Sequence, residues 1–246
     1  MTEPLIGAAN QPHSTAVDDT IEQLARAISH DLREPLIIVQ QFAELLRAEY
    51  GDRLDEQGCE WLERIERNSR RAQQMVQTLR QFWTLGVDPA RWTQVDLNQL
   101  LEFARGELQD EVSFTFRIES ERLPTVLGDP HLLKRILVEV VRNAMQHGRQ
   151  EGLILTACNV SDADGQGIAL VDNGSGIPAA LLPQVTTLFV SSNAAHHVGG
   201  GLSIAQRIMQ LHGGQLHVTS CNQGTRVRLL WPSGSDTEST LIDRDH

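Results

Sequence analysis

From Asp18 to Tyr50 apolar residues recur three and four positions apart, and after the polar stretch GDRLDEQG the same spacing resumes from about Glu56 to Trp83. Ile21, Leu24, Ala25, Ile28, Leu32, Leu36, Val39, Phe42 and Leu46 form the first series, and Leu62, Ile65, Ala72, Met75, Val76, Leu79 and Trp83 the second. Such spacing gathers apolar side chains on one face of an α-helix, so both segments read as long amphipathic helices joined by a short turn. Acidic residues open the first and Gly51 lies just past its end, as helix boundaries require. A hairpin with two apolar stripes cannot cover both by itself, whereas two hairpins side by side close the core of a four-helix bundle. The pattern predicts a homodimer; the alternative is a hairpin packed on the rest of its own chain.

From about Gln94 the period changes. Alternation of the kind that half-buried strands show appears in VSFTFRI (Val112, Phe114, Phe116, Ile118), LILTACNV, GIALV, QLHVTS and RVRLLW. Helical stripes sit among them, Leu132, Ile136, Val140 and Ala144 within His131 to His147, and Leu202, Ala205, Ile208 and Leu211 within Leu202 to His212. That order of elements describes an α/β domain with a mixed sheet covered by helices. The expected organisation is a disordered tail over 1–17, a helical domain over 18–88, an α/β domain over 89–231 and an acidic, disordered tail over 232–246.

Composition narrows the function. The chain has 246 residues and a formal charge of −11, which disfavours gripping nucleic acid or an anionic bilayer by counterion release and favours a partner with a basic face. Only Lys134 is lysine, so a phosphate elsewhere must be met by arginine or backbone amides. Cys59, Cys158 and Cys221 are far apart and lack CxxC spacing, which points to a reducing compartment without structural zinc. No apolar run approaches the roughly 18 residues of a spanning helix, so a cytoplasmic chain without membrane insertion is expected.

Four groups of residues could carry chemistry. At about 100° per residue, His30 lies half a turn from the stripe of Ile21, Ile28, Leu32 and Val39 and so faces solvent. Asp31 follows it, and Pro35, which lacks an amide proton, should bend the helix just beyond, at a cost of roughly 3 kcal/mol. Glu139, Asn143 and His147 recur every four residues and share one face of their helix; the Asn143 amide oxygen suits Mg²⁺, which binds chiefly through nucleotide phosphates. For both of these groups an ordinary solvated helix face is the bland alternative. In VDNGSGIP, Asp172 ends a strand as a fixed acceptor, and Gly174 and Gly176 let a flat ring approach the backbone, or simply form a turn. Gly199 to Gly201 open straight onto a helix, where backbone amides attract anions.

Taken in order, AISHDLREPL, RILVEVVRNAMQHG, VDNGSGIP, TTLFVSSN and GGGLSIAQRIMQLHGG resemble the motifs of bacterial sensor histidine kinases of two-component systems. The resemblance runs from about Asp18 to Pro232, and SHDLREPL is similar to the kinase modules of phytochrome-type photoreceptors. It implies a dimerisation and histidine-phosphotransfer hairpin, followed by an ATP-binding α/β sandwich of the gyrase, chaperone and mismatch-repair class, the Bergerat or GHKL fold. His30 would be the phosphoacceptor and Asp31 the carboxylate that orients its imidazole and takes its proton. Asn143 would bind Mg²⁺ and Asp172 the adenine amino group. Gly174, Gly176, Gly199 and Gly201 would shape the nucleotide pocket and its lid, with His147 and Leu202 beside the nucleotide and Phe189 anchoring the lid. The implied reaction is ATP-dependent phosphorylation of the histidine, then transfer to an aspartate of a response regulator receiver domain, with input from a separate sensory protein or domain.

Several positions depart from the family pattern. Glu139 replaces a first asparagine; in hydrolysing ATPases of the superfamily a glutamate there activates water, which adds slow ATP hydrolysis. Asn193 stands for the basic lid residue and His197 for the first lid glycine. Glu34, four after the histidine, replaces the threonine or asparagine of strong phosphatases, so weak dephosphorylation of the regulator is expected. The altered lid favours a rival reading, a dimeric phosphotransfer scaffold that does not use ATP. An ATPase clamp or serine kinase shares the nucleotide motifs but would lack the His30 helix.

Overall fold

A computed structural model of the chain describes residues 13–86, 88–109, 116–148, 152–162, 165–191, 198–221 and 224–232. The backbone divides between Thr84 and Leu85 into two compact units, each described by itself.

The first unit is the hairpin. Helix α1 spans His13–Tyr50 and α2 spans Glu56–Trp83, joined through a single 3-10 turn at Gly51–Arg53. α1 starts five residues before Asp18, so 13–17 are helical where the sequence predicts tail; the remainder of both predicted tails, apart from Pro232, lies outside the described residues. Val17 stands four before Ile21 and seven before Leu24, so the stripe continues backward, and extending a helix already nucleated costs little. α2 is capped by Asp55, whose side chain accepts from the Gly58 N–H at 2.8 Å, one of the donors a helix start leaves without a partner.

The seam between the two helices carries several polar contacts. Glu66, though only 8% exposed, accepts from Arg47 Nε at 2.8 Å and from Arg70 at 3.3 Å. Ser69 Oγ donates to the Leu36 carbonyl at 2.8 Å, and Gln73 Nε2 donates to that carbonyl at 3.2 Å and to Gln40 Oε1 at 2.8 Å. Among the described residues of this unit Ala43 and Leu62 are the buried apolar ones, while Ile28, Leu32, Val39, Phe42 and Leu46 stay exposed, as do Ile65 and Trp83 of α2. The stripe read from α1 is thus mostly not what the helix turns toward its own partner.

In the second unit, β1 (Thr93–Asp96) pairs antiparallel with β3 (Thr125–Gly128). Between them lie α3 (Leu97–Gln109) and β2 (Arg117–Ser120). α4 (Pro130–His147), β4 (Ile154–Asp162), β5 (Gly165–Asp172), α5 (Gly201–Leu211), β6 (Gln215–Cys221) and β7 (Gly224–Trp231) follow. The main sheet has the order β2-β4-β5-β7-β6, mixed because β2 runs parallel to β4 while every other pair is antiparallel. Of the strand predicted at VSFTFRI, Arg117 and Ile118 open β2, and Val112 and Phe114 lie outside the described residues. α4 packs between α3 and α5. Its Leu133, Ile136, Leu137 and Val141 are buried, as are Leu155, Ala157, Ile168 and Leu170 of the central strands. Each fully buried aliphatic side chain contributes about 1.5–3 kcal/mol, which makes this layer the anchor for whatever α4 carries on its other face.

Asp129 caps α4, accepting from the His131 and Leu132 N–H groups at 2.8 and 3.3 Å. Its own N–H donates to Nε2 of buried His212 at 3.1 Å, and His212 Nδ1 donates to the Ile208 carbonyl at 2.8 Å. Trp92 stacks on that imidazole with ring centroids 5.1 Å apart. Among the described residues no helix is long and apolar enough to cross a membrane.

Candidate functional site

His30 stands on the open side of α1, its side chain 80% exposed, with Nδ1 3.4 Å from Asp31 Oδ1. With the proton on Nδ1 and Asp31 as its acceptor, the lone pair of Nε2 points away from the pair and is free to act as a nucleophile. α1 continues through Pro35 as one helix, but proline has no N–H, so the Asp31 carbonyl loses the donor that helix geometry would give it. Ser29 is the reverse of its neighbour: it is buried, and its hydroxyl has no partner among the described residues.

The second unit builds a separate group of residues around α4. Glu139, Asn143 and His147 are all half-buried and follow one another at single turns. Glu139 lies against the start of α5: a Cβ placed on Gly201 would come within 2.8 Å of its Oε2. A carboxylate there is favoured by the partial positive charge of the helix start. Arg142 Nη1 is 3.6 Å from Glu139 Oε1, and Arg135, one turn earlier, is a cation that sequence reasoning did not single out. Burial lowers the Arg135 pKa, and the neighbouring Glu139 charge acts against that shift.

At the other end of α4 the Asp172 loop closes in. Asp172 Oδ1 accepts from the Gly174 N–H at 2.8 Å and from the Thr225 N–H at 3.1 Å. Two backbone donors on one oxygen fix the carboxylate and leave Oδ2 to accept from a ligand. Gly174 is buried, and a Cβ there would meet Asp172 Oδ1 and the Gly148 Cα, each at 2.9 Å. Ser175 Oγ reaches the His147 carbonyl at 3.5 Å. Gly176 has φ of 75°, a conformation that favours glycine. α4 is therefore the element common to the Asp172 loop and the start of α5.

Phe189 and Gly199 are tied together, the Phe189 N–H donating to the Gly199 carbonyl at 2.9 Å. Phe189 has φ of 68°, the one described non-glycine residue with positive φ, and a bulky side chain in that region stores strain of about 1–3 kcal/mol. Leu202 is buried in the first turn of α5. Asn193 and His197 lie outside the described residues.

Sequence reasoning missed three residues that hold this loop. Asn173 Oδ1 accepts from the Ile154 N–H at 3.0 Å and its Nδ2 donates to the Gly152 carbonyl at 2.9 Å. Ser220 Oγ accepts from the Ile177 N–H at 2.6 Å and donates to the Gly224 carbonyl. Gly224, in the β6–β7 turn, has no room for a Cβ, which would fall 1.9 Å from the Asp172 carbonyl oxygen. Only the glycine in NQGT hinted at the last of these.

Two family models match the chain: the His Kinase A (phospho-acceptor) domain over residues 20–85, and the histidine kinase-, DNA gyrase B- and HSP90-like ATPase over 128–235. The chain is 27% identical over 229 residues to the signal transduction histidine-protein kinase AtoS of Escherichia coli (strain K12), covering 90% of this chain and 36% of that protein. It is 26% identical over 223 residues to sporulation kinase D of Bacillus subtilis (strain 168), covering 87% and 42%. The phytochrome-like protein Cph1 of Synechocystis sp. is 22% identical over 204 residues, covering 81% and 27%. The chain thus spans less than half the length of these relatives. Two solved structures share the fold: full-length ShkA in complex with AMPPNP, with a TM-score of 0.59 at 21% identity over 86% of this chain and 46% of that one, and the Acinetobacter baumannii histidine kinase AdeS, with 0.54 at 15% over 81% and 95%. With the phospho-acceptor model on the hairpin and the ATPase model on the α/β unit, the chain belongs to the sensor histidine kinases of two-component systems.

Proposed function

We propose that this chain uses ATP to phosphorylate His30 and passes the phosphoryl group to an aspartate of a response regulator receiver domain. The observation that carries this reading is an open imidazole with a carboxylate beside it on the hairpin, His30 and Asp31. In the forward step Nε2 of neutral His30 attacks the γ-phosphorus in line with the β,γ-bridging oxygen. The N–P bond forms as the bridging P–O bond breaks, and the bonding pair leaves with ADP. The proton on Nδ1 is held and then taken by Asp31. Such transfers ask mainly for positioning and for neutralisation of charge on the phosphates.

In the second unit Asp172 Oδ2 is the acceptor for the adenine amino group, with Gly174 and Gly176 leaving room for the ring. Asn143 is half-buried on α4 between Glu139 and His147, each one turn away, and its amide oxygen would suit a cation that takes its other ligands from phosphates and water. When bound there, Mg²⁺ supplies the charge that offsets the β- and γ-phosphates. Glu139, one turn away, is suited to orient a water and so to support slow hydrolysis of ATP. Glu34, exposed one turn after His30, places a carboxylate where dephosphorylation of the regulator needs an uncharged group, and weak phosphatase action is expected.

The exposed apolar face of the hairpin is the surface on which a second copy completes a four-helix bundle. The test of the reading is incubation of the purified chain with γ-labelled ATP and Mg²⁺. Acid-labile, base-stable label that disappears in His30→Gln supports it, whereas tight binding of an ATP analogue without label leaves only a phosphotransfer scaffold.

A further inference from the structure

We infer that Ser69 and Gln73 of α2 are positioning residues for His30, acting through the main chain of α1 just beyond Pro35. The inference rests on the reading of His30 as phosphoacceptor. Because Pro35 brings no N–H, the turn that holds His30 and Asp31 is joined to the helix below by one hydrogen bond fewer than its neighbours. The apolar side chains of α1 on either side of this turn, Ile28, Leu32 and Val39, are exposed, and the residues that α1 buries above and below it, Ser29 and Ala43, are small, so apolar packing within the hairpin gives little hold on the rotation of α1 about its own axis here.

What the hairpin adds to this small contact is a polar clamp on the first carbonyl past the proline. Ser69 Oγ donates to the Leu36 carbonyl at 2.8 Å, and Gln73 Nε2 reaches the same oxygen at 3.2 Å and Gln40 Oε1 at 2.8 Å. Ser69 and Gln73 stand one turn apart on α2, and Leu36 and Gln40 one turn apart on α1, so two consecutive turns of each helix are matched. Ser69 is only 4% exposed, and a hydrogen bond so placed faces little competition from water. The clamp is uncharged, unlike the Arg47–Glu66 pair further along the hairpin. It fixes the azimuth and height of α1 within two turns of the imidazole that must meet a phosphorus in line. In-line transfer is sensitive to such placement, a displacement of about 1 Å being enough to cost 100-fold in rate.

The test compares the wild-type chain with Ser69→Ala/Gln73→Leu, Gln73→Leu alone and Ser69→Thr, measuring the rate of His30 labelling against ATP concentration together with the mass of the dimer by light scattering. The expected result is a fall in kcat of about tenfold or more in the double variant with KM for ATP unchanged and the dimer retained. A smaller fall is expected in Gln73→Leu, and near wild-type kcat in Ser69→Thr, which keeps the hydroxyl. If the double variant does not fold, Gln73→Leu alone decides. Labelling of the variants at the wild-type rate, or a loss carried by KM, overturns this inference and leaves the kinase reading in place. Absence of label on the wild-type chain overturns that reading, and this inference with it.

Discussion

Nε2 of His212 accepts the backbone N–H of Asp129, the residue that caps α4, at 3.1 Å. Because Nδ1 donates to the Ile208 carbonyl, both ring nitrogens are committed to the neutral imidazole, and a proton on Nε2 would turn that bond into a clash of two donors. Burial pushes the His212 pKa below the usual 6.5, against smaller opposing effects of the Ile208 carbonyl and the Asp129 charge. A histidine with a lowered folded pKa binds its proton more readily when unfolded, so its contribution to stability is complete above about pH 6.5 and declines as pH falls below that value. Urea unfolding of the second unit between pH 7.5 and pH 5 is expected to show this loss, with a slope from this group of at most about 1.4 kcal/mol per pH unit. His212→Gln is expected to be less stable at pH 7.5 and to show a flatter pH dependence; an unchanged slope counts against the assignment.

Period alone was enough to read α1, α2, α4, α5 and most of the sheet, because each buries a face at regular spacing. It did not reveal what covers that face. On α1 the described part of the apolar series is largely exposed, and hydrogen bonds to α2 are made by Leu36, through its carbonyl, and by the polar Gln40 and Arg47. α3 was overlooked although Leu97, Leu100, Leu101, Ala104 and Leu108 are all buried at helical spacing; the two strands of the small sheet, β1 and β3, have four residues each, too few for alternation to register. In the second unit Asp172 was legible as a strand-end carboxylate, but Thr225 and Gly224 act on it through the backbone and come from the start of β7, which only the folded sheet brings alongside.

Two glycines of this unit should respond in opposite ways to alanine. At Gly201 the obstacle to a Cβ is Glu139 Oε2 at 2.8 Å, the far end of a flexible side chain that can swing aside. At Gly224 it is the Asp172 carbonyl oxygen at 1.9 Å, with φ at 141°, and the backbone must move. Gly224→Ala is expected to cost about 1–3 kcal/mol or more and to weaken binding of an ATP analogue by displacing Asp172. Gly201→Ala should leave the melting temperature within a few degrees of wild type while altering ATP hydrolysis through Glu139. Differential scanning calorimetry alongside calorimetric titration with AMPPNP separates the two, and equal destabilisation by both would contradict the argument.

Phe42 is 63% exposed and Leu46 is exposed one turn along the same face. Burying side chains of this size against a second hairpin is worth about 1.5–3 kcal/mol each, and a dimer doubles every such contact. Phe42→Glu is therefore expected to give a monomer in sedimentation velocity at micromolar concentration while the helical circular dichroism of the hairpin is reduced only in part. A variant that remains a dimer would show that some other surface joins the copies.

Asp31 is 82% exposed, with Oδ1 at 3.4 Å from His30 Nδ1, so it can act on the imidazole without lying in its path. An asparagine in that place keeps the shape but does not take a proton, and it can turn its amide to donate to Nδ1, favouring the tautomer whose nucleophilic nitrogen faces the wrong way. General-base and orienting roles of this kind are worth about 100-fold or more in rate. Asp31→Asn is expected to lower the rate of His30 labelling by that order with KM for ATP unchanged, since the nucleotide residues belong to the other unit. Asp31→Glu, which restores the carboxylate on a longer arm, is expected to recover part of the rate. Wild-type labelling by Asp31→Asn in a single-turnover assay would remove Asp31 from the chemistry and leave His30 to be oriented by the helix alone.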